Sequence, residues 1–516
     1  MSNIQFVNCM RKIYTLALLL VIFGFFQKLN AQRYTSEVFN HVKITDGVVY
    51  GQNITIMTTP AKTEDLKMTV YEPAGDTLPN RPLVIYLHTG NFLPKGFNQS
   101  ATGQRQDSCV VEICKQLAKR GYVVAAASYR LGWNPLASDQ NTRTSTLLQA
   151  VYRAIQDTKT AVRYFRKNHA TENNMFGVDP SNIMLLGQGS GGYVALAYAT
   201  LNDPNELLIP KFYDFSVTPA VPYVDSLILR NFDGYRGNSS YNIENHVGYS
   251  NDIKMVANMG GALGDSIWLE KGEVPMVSFH CPNDPSAPYK YGTVVVPTIG
   301  NVVEVSGSHD LQRLIKGFGN NDVFVNANYT DAFTVKANSM NDGYEGLYPF
   351  YVSSPQSAPW EWWSTSDSKH QNSLQTNPDM SKTKGMAYID TIMGYLIPRT
   401  VTVLNLQTSG AVYIDPAKDK DTTIVFVGIH DNVYAGNNNI TLFPNPVSGE
   451  YITVMSNNQS LINSVELFDV TGKQILFDNN LNNNSYTLSI ANLSSGLYFI
   501  KSSINGVYEL NKLIVE

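Results

Sequence analysis

The chain has no run of basic residues, few cysteines and, beyond its N-terminus, no long apolar stretch. Over 516 residues the formal net charge is −5 and the sequence pI is about 5.9. Neither a phosphate backbone nor an anionic membrane surface finds a counter-surface here, so no nucleic acid partner is expected. Of the four cysteines, Cys9 lies in the leader and Cys109, Cys114 and Cys281 remain. Three make neither a zinc site nor a disulfide framework. Cys109 and Cys114 can pair if Cys109 precedes a helix; inside a regular helix they face apart. No metal-ligand spacing and no internal repeat occurs, and no cofactor is indicated. After the leader, no stretch approaches the roughly 18 to 20 apolar residues of a membrane span, so no transmembrane anchor is expected.

The N-terminus carries Arg11 and Lys12, an apolar run from Ile13 to Phe26, and then Leu29-Asn30-Ala31-Gln32. This is the pattern of a secretory signal peptide, residues 1–31, cleaved after Ala31. With 43% apolar and 16% charged residues, the rest is a globular chain with a large core. Across residues 32–406, short apolar runs alternate with helical periodicity, which predicts an α/β fold: a mostly parallel sheet with helices on both faces. The predicted strands are Pro82 to Leu87, Tyr122 to Ala127, Ile183 to Leu186, Val256 to Met259, Pro275 to Phe279 and, last, Val323 to Asn328. Leu147, Leu148, Val151, Ala154, Ile155, Thr158, Val162 and Phe165 fall on one face of a helix. A closing helix from Gly385 to Ile397 is expected to stop at Pro398.

Residues 201–250 break the alternation with Tyr, Asn, Pro and Gly. They read as a lid-like insertion over a site or as an inert surface excursion. Residues 407–439, with β-like pieces at Ala411 to Ile414 and Thr423 to Val427 and an end at Gly436-Asn437-Asn438-Asn439, read as a sheet extension and linker. Residues 440–516 change to short alternating strands at Tyr451 to Ser456, Ser464 to Val470, Tyr486 to Ile490 and Gly496 to Ser502, a small all-β sandwich.

Residues Phe176 to Gly192, FGVDPSNIMLLGQGSGG, carry the strongest functional signal. They resemble, without a gap, the carboxylesterase pattern F-G-G-D-P-x-x-I-T-L-F-G-E-S-A-G-G of the α/β-hydrolase family. In that register Gly187 and Gly191 are the elbow glycines, and Gly189 stands where the family has its nucleophilic serine. Centring the elbow on Ser190 instead requires a one-residue slip, because position 188 is Gln. Ala118 to Val124, Ser128 to Pro135 and Gln156-Asp157 resemble the A-x-R-G-Y-V-V, Y-R-L-G and Q-D segments of the same family. His88-Thr89-Gly90-Asn91-Phe92 is similar to its H-G-G-G oxyanion loop, with one glycine left. The resemblance implies that Gly90 or Asn91 donates a backbone N–H, with Ser190 N–H as the second donor.

The segment from Pro275 to Tyr289 resembles the strand and turn that bear the family's acid, which implies Asp284 for that role; a turn cap at Asp-Pro is the other reading. The histidine is absent from its slot. The segment from Tyr329 to Tyr351 holds none, and Tyr344 stands about where G-H-E is expected. His309 is the remaining candidate base, alternatively a surface residue at a helix start. His370 lies in a polar loop, and His280 reads as structural. Gly187, Gly189 and Gly192 satisfy a dinucleotide fingerprint, but late in the array rather than on a first strand. Trp360-Glu361-Trp362-Trp363 reads as a stacking platform or as packing.

The C-terminal residues Leu442 to Pro446, Val465 to Lys473, Leu493 to Ile500 and Lys512 to Val515 resemble the type A C-terminal sorting domain of the type IX secretion system. That implies the secretion machinery as partner of residues 440–516 and a secreted or outer-membrane-attached protein. Three functions follow. One is an active esterase using Ser190, Asp284 and His309. The second is a catalytically inactive hydrolase fold that binds a small-molecule or polymer ester, a glycan or a peptide in the old pocket. The third is a surface adhesion protein with an idle pocket.

Overall fold

A computed structural model of the protein describes residues 32–516 apart from 59, 237, 239, 297–299, 426–439, 458–459, 470–472 and 505–506. The expected signal peptide and the linker from residue 426 on lie outside the described residues. The chain divides into two compact units, up to residue 428 and from 429 on.

In the first unit, nine strands among the described residues form one sheet. They are β1 Val42–Thr55, β2 Lys62–Pro73, β3 Arg81–Leu87, β4 Val123–Ala127, β5 Val178–Gln188, β6 Met255–Met259, β7 Met276–His280, β8 Leu347–Pro349 and β9 Thr422–Val425. Their spatial order is β8-β7-β6-β5-β3-β4-β2-β1-β9, parallel from β8 to β4, with β2 antiparallel to both of its neighbours. β3 is buried along its whole length because helices cover both faces. Its alternate residues divide the core: Leu83, Ile85 and Leu87 pack with α2 (Gln140–Thr171) and α3 (Ser190–Thr200). Val84 and Tyr86 pack with α1 (Ser108–Lys119) and, across the same layer, with α6 (Lys382–Val403). No described helix is long and apolar enough to cross a membrane.

Two details of the chain differ from the sequence expectations, and at two further places the structure takes one of the readings that the sequence left open. Val323 to Asn328 is not the last strand but helix α5, Asp322–Ala327. Only Phe324 buries there, while Val323 and Val325 face solvent at 36% and 56% exposure, so the β-branched pair lines no sheet. The last core strand is the three-residue β8, which is too short to leave a period in the sequence and pairs with β7. Helix α6 runs through Pro398 to Val403, held on both sides of the proline by buried Tyr395, Leu396, Ile397, Arg399 and Thr400. Cys109 and Cys114 both lie inside α1, buried and free, about 140° apart around the helix. Residues 201–250 wrap α2 instead of covering the carboxyl ends of the strands. Arg230 and Asp233 carbonyls accept from Tyr152 OH (2.8 Å) and Arg163 Nη2 (2.9 Å), and Asp233 pairs with Lys159 at 2.8 Å. The cover comes from a hairpin, Tyr291–Val296 and Gly300–Ser306, between β7 and α4 (Ser308–Phe318).

The second unit is a sandwich of a three-stranded sheet (Ile440–Phe443, Tyr451–Ser456, Ser485–Ser489) and a four-stranded sheet (Gln474–Asn483, Ile462–Asp469, Gly496–Ile504, Val507–Val515). Inward residues Ile452, Val454, Val465, Leu467, Leu488, Ile500 and Leu513 form its core.

A buried ion pair fastens the loop after β4 to α2. Arg130 and Asp157 side chains are both 0% exposed and meet at 2.9 Å, and Asp157 also accepts from Arg130 N at 2.8 Å. Arg130 Nη2 further donates to Gln156 Oε1 (3.1 Å) and Asn242 Oδ1 (3.0 Å), tying in the 201–250 segment. Removing one partner strands a charge in the core. Asp157→Ala should therefore cost about 3–5 kcal/mol in urea unfolding. The five tryptophans, 133, 268, 360, 362 and 363, all report on this unit. A loss below about 1 kcal/mol would contradict the pair's role.

Candidate functional site

The strand order reverses on either side of β3, and at that point the carboxyl ends of β3 and β5 lie side by side, with Leu87 opposite Gly187. In an open α/β sheet this crevice is where ligands bind. Two turns converge there: residues 88–92 after β3, and the turn from β5 into α3.

Gly189 is the turn residue, the N-cap of α3, with φ 52° and ψ −119°. That region favours glycine and strains any other residue. Gly191 in the first turn of α3 abuts the Leu87 carbonyl, and a side chain there would collide with it. The turn is thus set by backbone contact, in the register that puts Gly189 rather than Ser190 on the bend. A Cβ on Gly189 would land on Thr89 Oγ1, with Thr89 Cβ at 3.0 Å. Thr89, from the oxyanion-type loop, fills the room of the missing side chain. The sequence reading missed it, although a threonine in place of a loop glycine was a visible signal.

Ser190 is the first residue of α3, 6% exposed. Tyr129 OH donates to the His88 carbonyl at 2.7 Å and receives the Ser190 hydroxyl at 3.2 Å. His88 stacks on Tyr129 at 4.9 Å, and burial pushes its imidazole down to about 4, so it is neutral at physiological pH. Gly90, Asn91 and Phe92 all have positive φ, and the loop is braced by Trp133 Nε1 on the Asn91 carbonyl (2.8 Å) and Gly132 N on the Phe92 carbonyl (2.8 Å). Among the described residues, the N–H groups of Gly90, Asn91 and Ser190 meet no acceptor.

Asp284 follows β7. Its Oδ1 accepts from Ser286 N (2.7 Å), Ala287 N (3.1 Å) and Ser357 Oγ (2.7 Å), and its Oδ2 lies 3.6 Å from His280 Nε2. Ser357 comes from the loop after β8, the last core strand, the place after which the sequence resemblance leads a histidine to be expected. It escaped the sequence reading because the last strand was assigned to residues 323–328. His309 is elsewhere: on the first turn of α4, bonded to Asp310 (3.1 Å) and Asp342 (3.0 Å) and packed against the rings of Tyr289 and Tyr344. It is not brought together with Asp284 and Ser190. His280 is fully buried between Ser308 Oγ (2.8 Å) and the Ala287 carbonyl (3.1 Å). His370 accepts from Trp363 Nε1 at 3.0 Å.

Above these groups opens a cavity of about 720 Å³, lined by Thr89, Gly90, Asn91, Gly189, Ser190, Asp284 and Ser357 on its polar side. Its apolar walls include Trp133, Leu147, Val151 and Trp268, with Val294, Val295, Val303 and Val305 from the hairpin. Among the described residues, none of 201–250 and no histidine, lysine or arginine lines it. No described group of three or more His, Cys, Asp and Glu could hold a metal ion. Of the tryptophan cluster, Trp360 borders the cavity at 1% exposure while Trp362 packs over Gly385.

A second carboxyl, Glu361, also reaches the cavity wall. Its oxygens accept from Gln188 Nε2 and from Thr102 Oγ1 (3.0 Å), and burial, with Asp107 nearby, pushes it up to about 8. The folded state thus holds a proton that the unfolded chain releases above the ordinary glutamate range, so stability falls as pH rises from about 4.5 towards 8. Glu361→Gln should flatten that slope and gain about 1–3 kcal/mol over wild type at alkaline pH. Equal urea midpoints for the two proteins at pH 5.5 and pH 8.5 would contradict it.

Residues 68–296 match the BD-FAE family model, and residues 441–516 match the secretion system C-terminal sorting domain. No curated protein matches the chain. Among solved structures, the chain is similar to esterase 2 of the Planctomycetes species Thermogutta terrifontis. The propionate-bound form shares 15% identity over 64% of this chain and 90% of that chain, with a TM-score of 0.30. For the native form the values are 16%, 67%, 94% and 0.31, and for the form phosphorylated by paraoxon 17%, 66%, 94% and 0.32. At such TM-scores these likenesses carry no weight for the site. Together, the sheet order and the two family matches identify the chain as an esterase-like α/β-hydrolase domain of the BD-FAE kind followed by a type IX C-terminal sorting domain.

Proposed function

We propose that this exported protein binds a ligand of the carboxylic-ester type in its hydrolase cavity without cleaving it. The leader ends near Ala31, and the tail from residue 440 engages the type IX machinery. The observation that carries the reading is the coordinated loss at two corners of the acyl-transfer triad. Gly189 is at the elbow with Thr89 in the side-chain space, and Ser357, not an imidazole, is hydrogen-bonded to Asp284. Acyl transfer needs an alkoxide made by a base in contact with the nucleophile. Ser190 Oγ instead donates to Tyr129, itself committed to the His88 carbonyl, and no described histidine lines the cavity.

What persists supports binding. The N–H groups of Gly90, Asn91 and Ser190 are available to a carbonyl oxygen, and the apolar walls offer room for an acyl or alkyl arm. His88, Gly90, Asn91, Gly189 and Ser190 act in this reading as parts of the oxygen-binding corner. Asp284 braces the wall through Ser286, Ala287 and Ser357. His309 has no part in it.

The purified chain should hydrolyse 4-nitrophenyl acetate no faster than buffer; turnover abolished by Ser190→Ala would overturn the reading. Gly189→Ser should stay inert and lose stability because it meets Thr89. In a Thr89→Gly background the same change should cost about 1–2 kcal/mol less, a coupling measurable by a double-mutant cycle in urea. Esterase activity should emerge only when Ser357→His is added to that pair.

A further inference from the structure

Thr89 does more than fill a gap. Its Oγ1 lies over the Gly189 turn, in the volume that a serine side chain on the elbow would take, and both residues line the cavity. Among the described residues Oγ1 has no hydrogen-bond partner, whereas the neighbouring hydroxyls of Ser190 and Ser357 are bonded, to Tyr129 and Asp284. A hydroxyl has thus moved from the elbow to the loop opposite it, next to the N–H groups of Gly90 and Asn91. An unbonded hydroxyl facing a largely apolar cavity is worth most when a ligand oxygen completes it.

The charges of the wall narrow the ligand. Among the described residues, no lysine, arginine or histidine lines the cavity. Asp284 Oδ1 is filled by three donors, and both Glu361 oxygens accept from Gln188 and Thr102. An anionic ligand would find acidic Asp284 and no cation among the described residues, and a desolvated charge without a partner is costly. We infer that Thr89 is the ligand-gripping residue of this cavity, its hydroxyl hydrogen-bonding a carbonyl or hydroxyl oxygen of an uncharged, largely apolar ligand. The inference rests on the binding reading given above and adds to it the residue that holds the ligand and the ligand's charge class.

The test is a titration of the full mature chain with N-(4-nitrophenyl)butanamide, a neutral amide that is not turned over on the time scale of the measurement. Quenching of the tryptophans, three of which (133, 268 and 360) line the cavity, reports binding. Thr89→Val, which keeps the shape and removes the hydroxyl, should weaken binding about tenfold, the size expected for one lost hydrogen bond. Thr89→Ser should stay within about threefold of wild type, Val151→Trp should abolish binding by filling the cavity, and the anion 4-nitrobenzoate should not bind. Urea midpoints of the variants identify any that fail to fold, and Thr89→Ser then carries the comparison with Thr89→Ala. If Thr89→Val binds as wild type while Val151→Trp does not, the cavity reading stands and the role of Thr89 falls. If 4-nitrobenzoate binds as well as the amide, the charge class falls. If wild type shows no quenching, or Val151→Trp binds unchanged, the binding reading falls and the inference with it.

Discussion

The architecture of the site depends on how closely two backbones approach at the carboxyl ends of β3 and β5. Gly191 abuts the Leu87 carbonyl, and Gly192 lies so close to the Asn258 side chain that no Cβ fits. This contact positions α3 on the sheet and sets the bend at Gly189, whatever chemistry follows. The glycines at 187, 191 and 192 are packing requirements, independent of which residue stands at 189. Conversely, with no side chain at 189, its φ of 52° is free of the strain that a serine there would bear.

The polar groups around the turn are paired as a set. Thr89 enters from the opposing loop, Ser357 satisfies the acid, and Tyr129 takes up the Ser190 hydroxyl. Each polar group that an acyl-transfer site would use now has a local partner or faces the cavity. That arrangement suits a preformed binding pocket, because groups already paired need no reorganisation when a ligand enters. The sorting tail is a separate all-β unit with its own core, so the sorting domain and the hydrolase-fold cavity lie in different units of the chain.

Much of this was legible in the sequence. The buried parallel strands announce themselves as continuous apolar runs, and the elbow register follows from the ungapped text before it. In the tail, Tyr451–Ser456 coincides with its predicted bounds. The site's second half was not legible. β8 is three residues long, and Val323-Phe324-Val325 has a strand-like composition although only Phe324 finds a core. Misassigning the last strand moved the expected base position and hid Ser357. Likewise His309 and Asp284 are only 25 residues apart, but the intervening hairpin carries the chain away before α4 begins. Residues 201–250 read as a lid or as a surface excursion, because polar, turn-rich text does not reveal which helix it will wrap.

The central claim is that no side chain in the cavity is an activated nucleophile. Intact-mass spectrometry of the purified chain after exposure to a small alkyl fluorophosphonate tests it most directly, since that reagent forms a stable adduct with any activated hydroxyl. The account predicts an unshifted mass. A stoichiometric phosphonyl adduct mapped to Ser190 or Thr89 would contradict it.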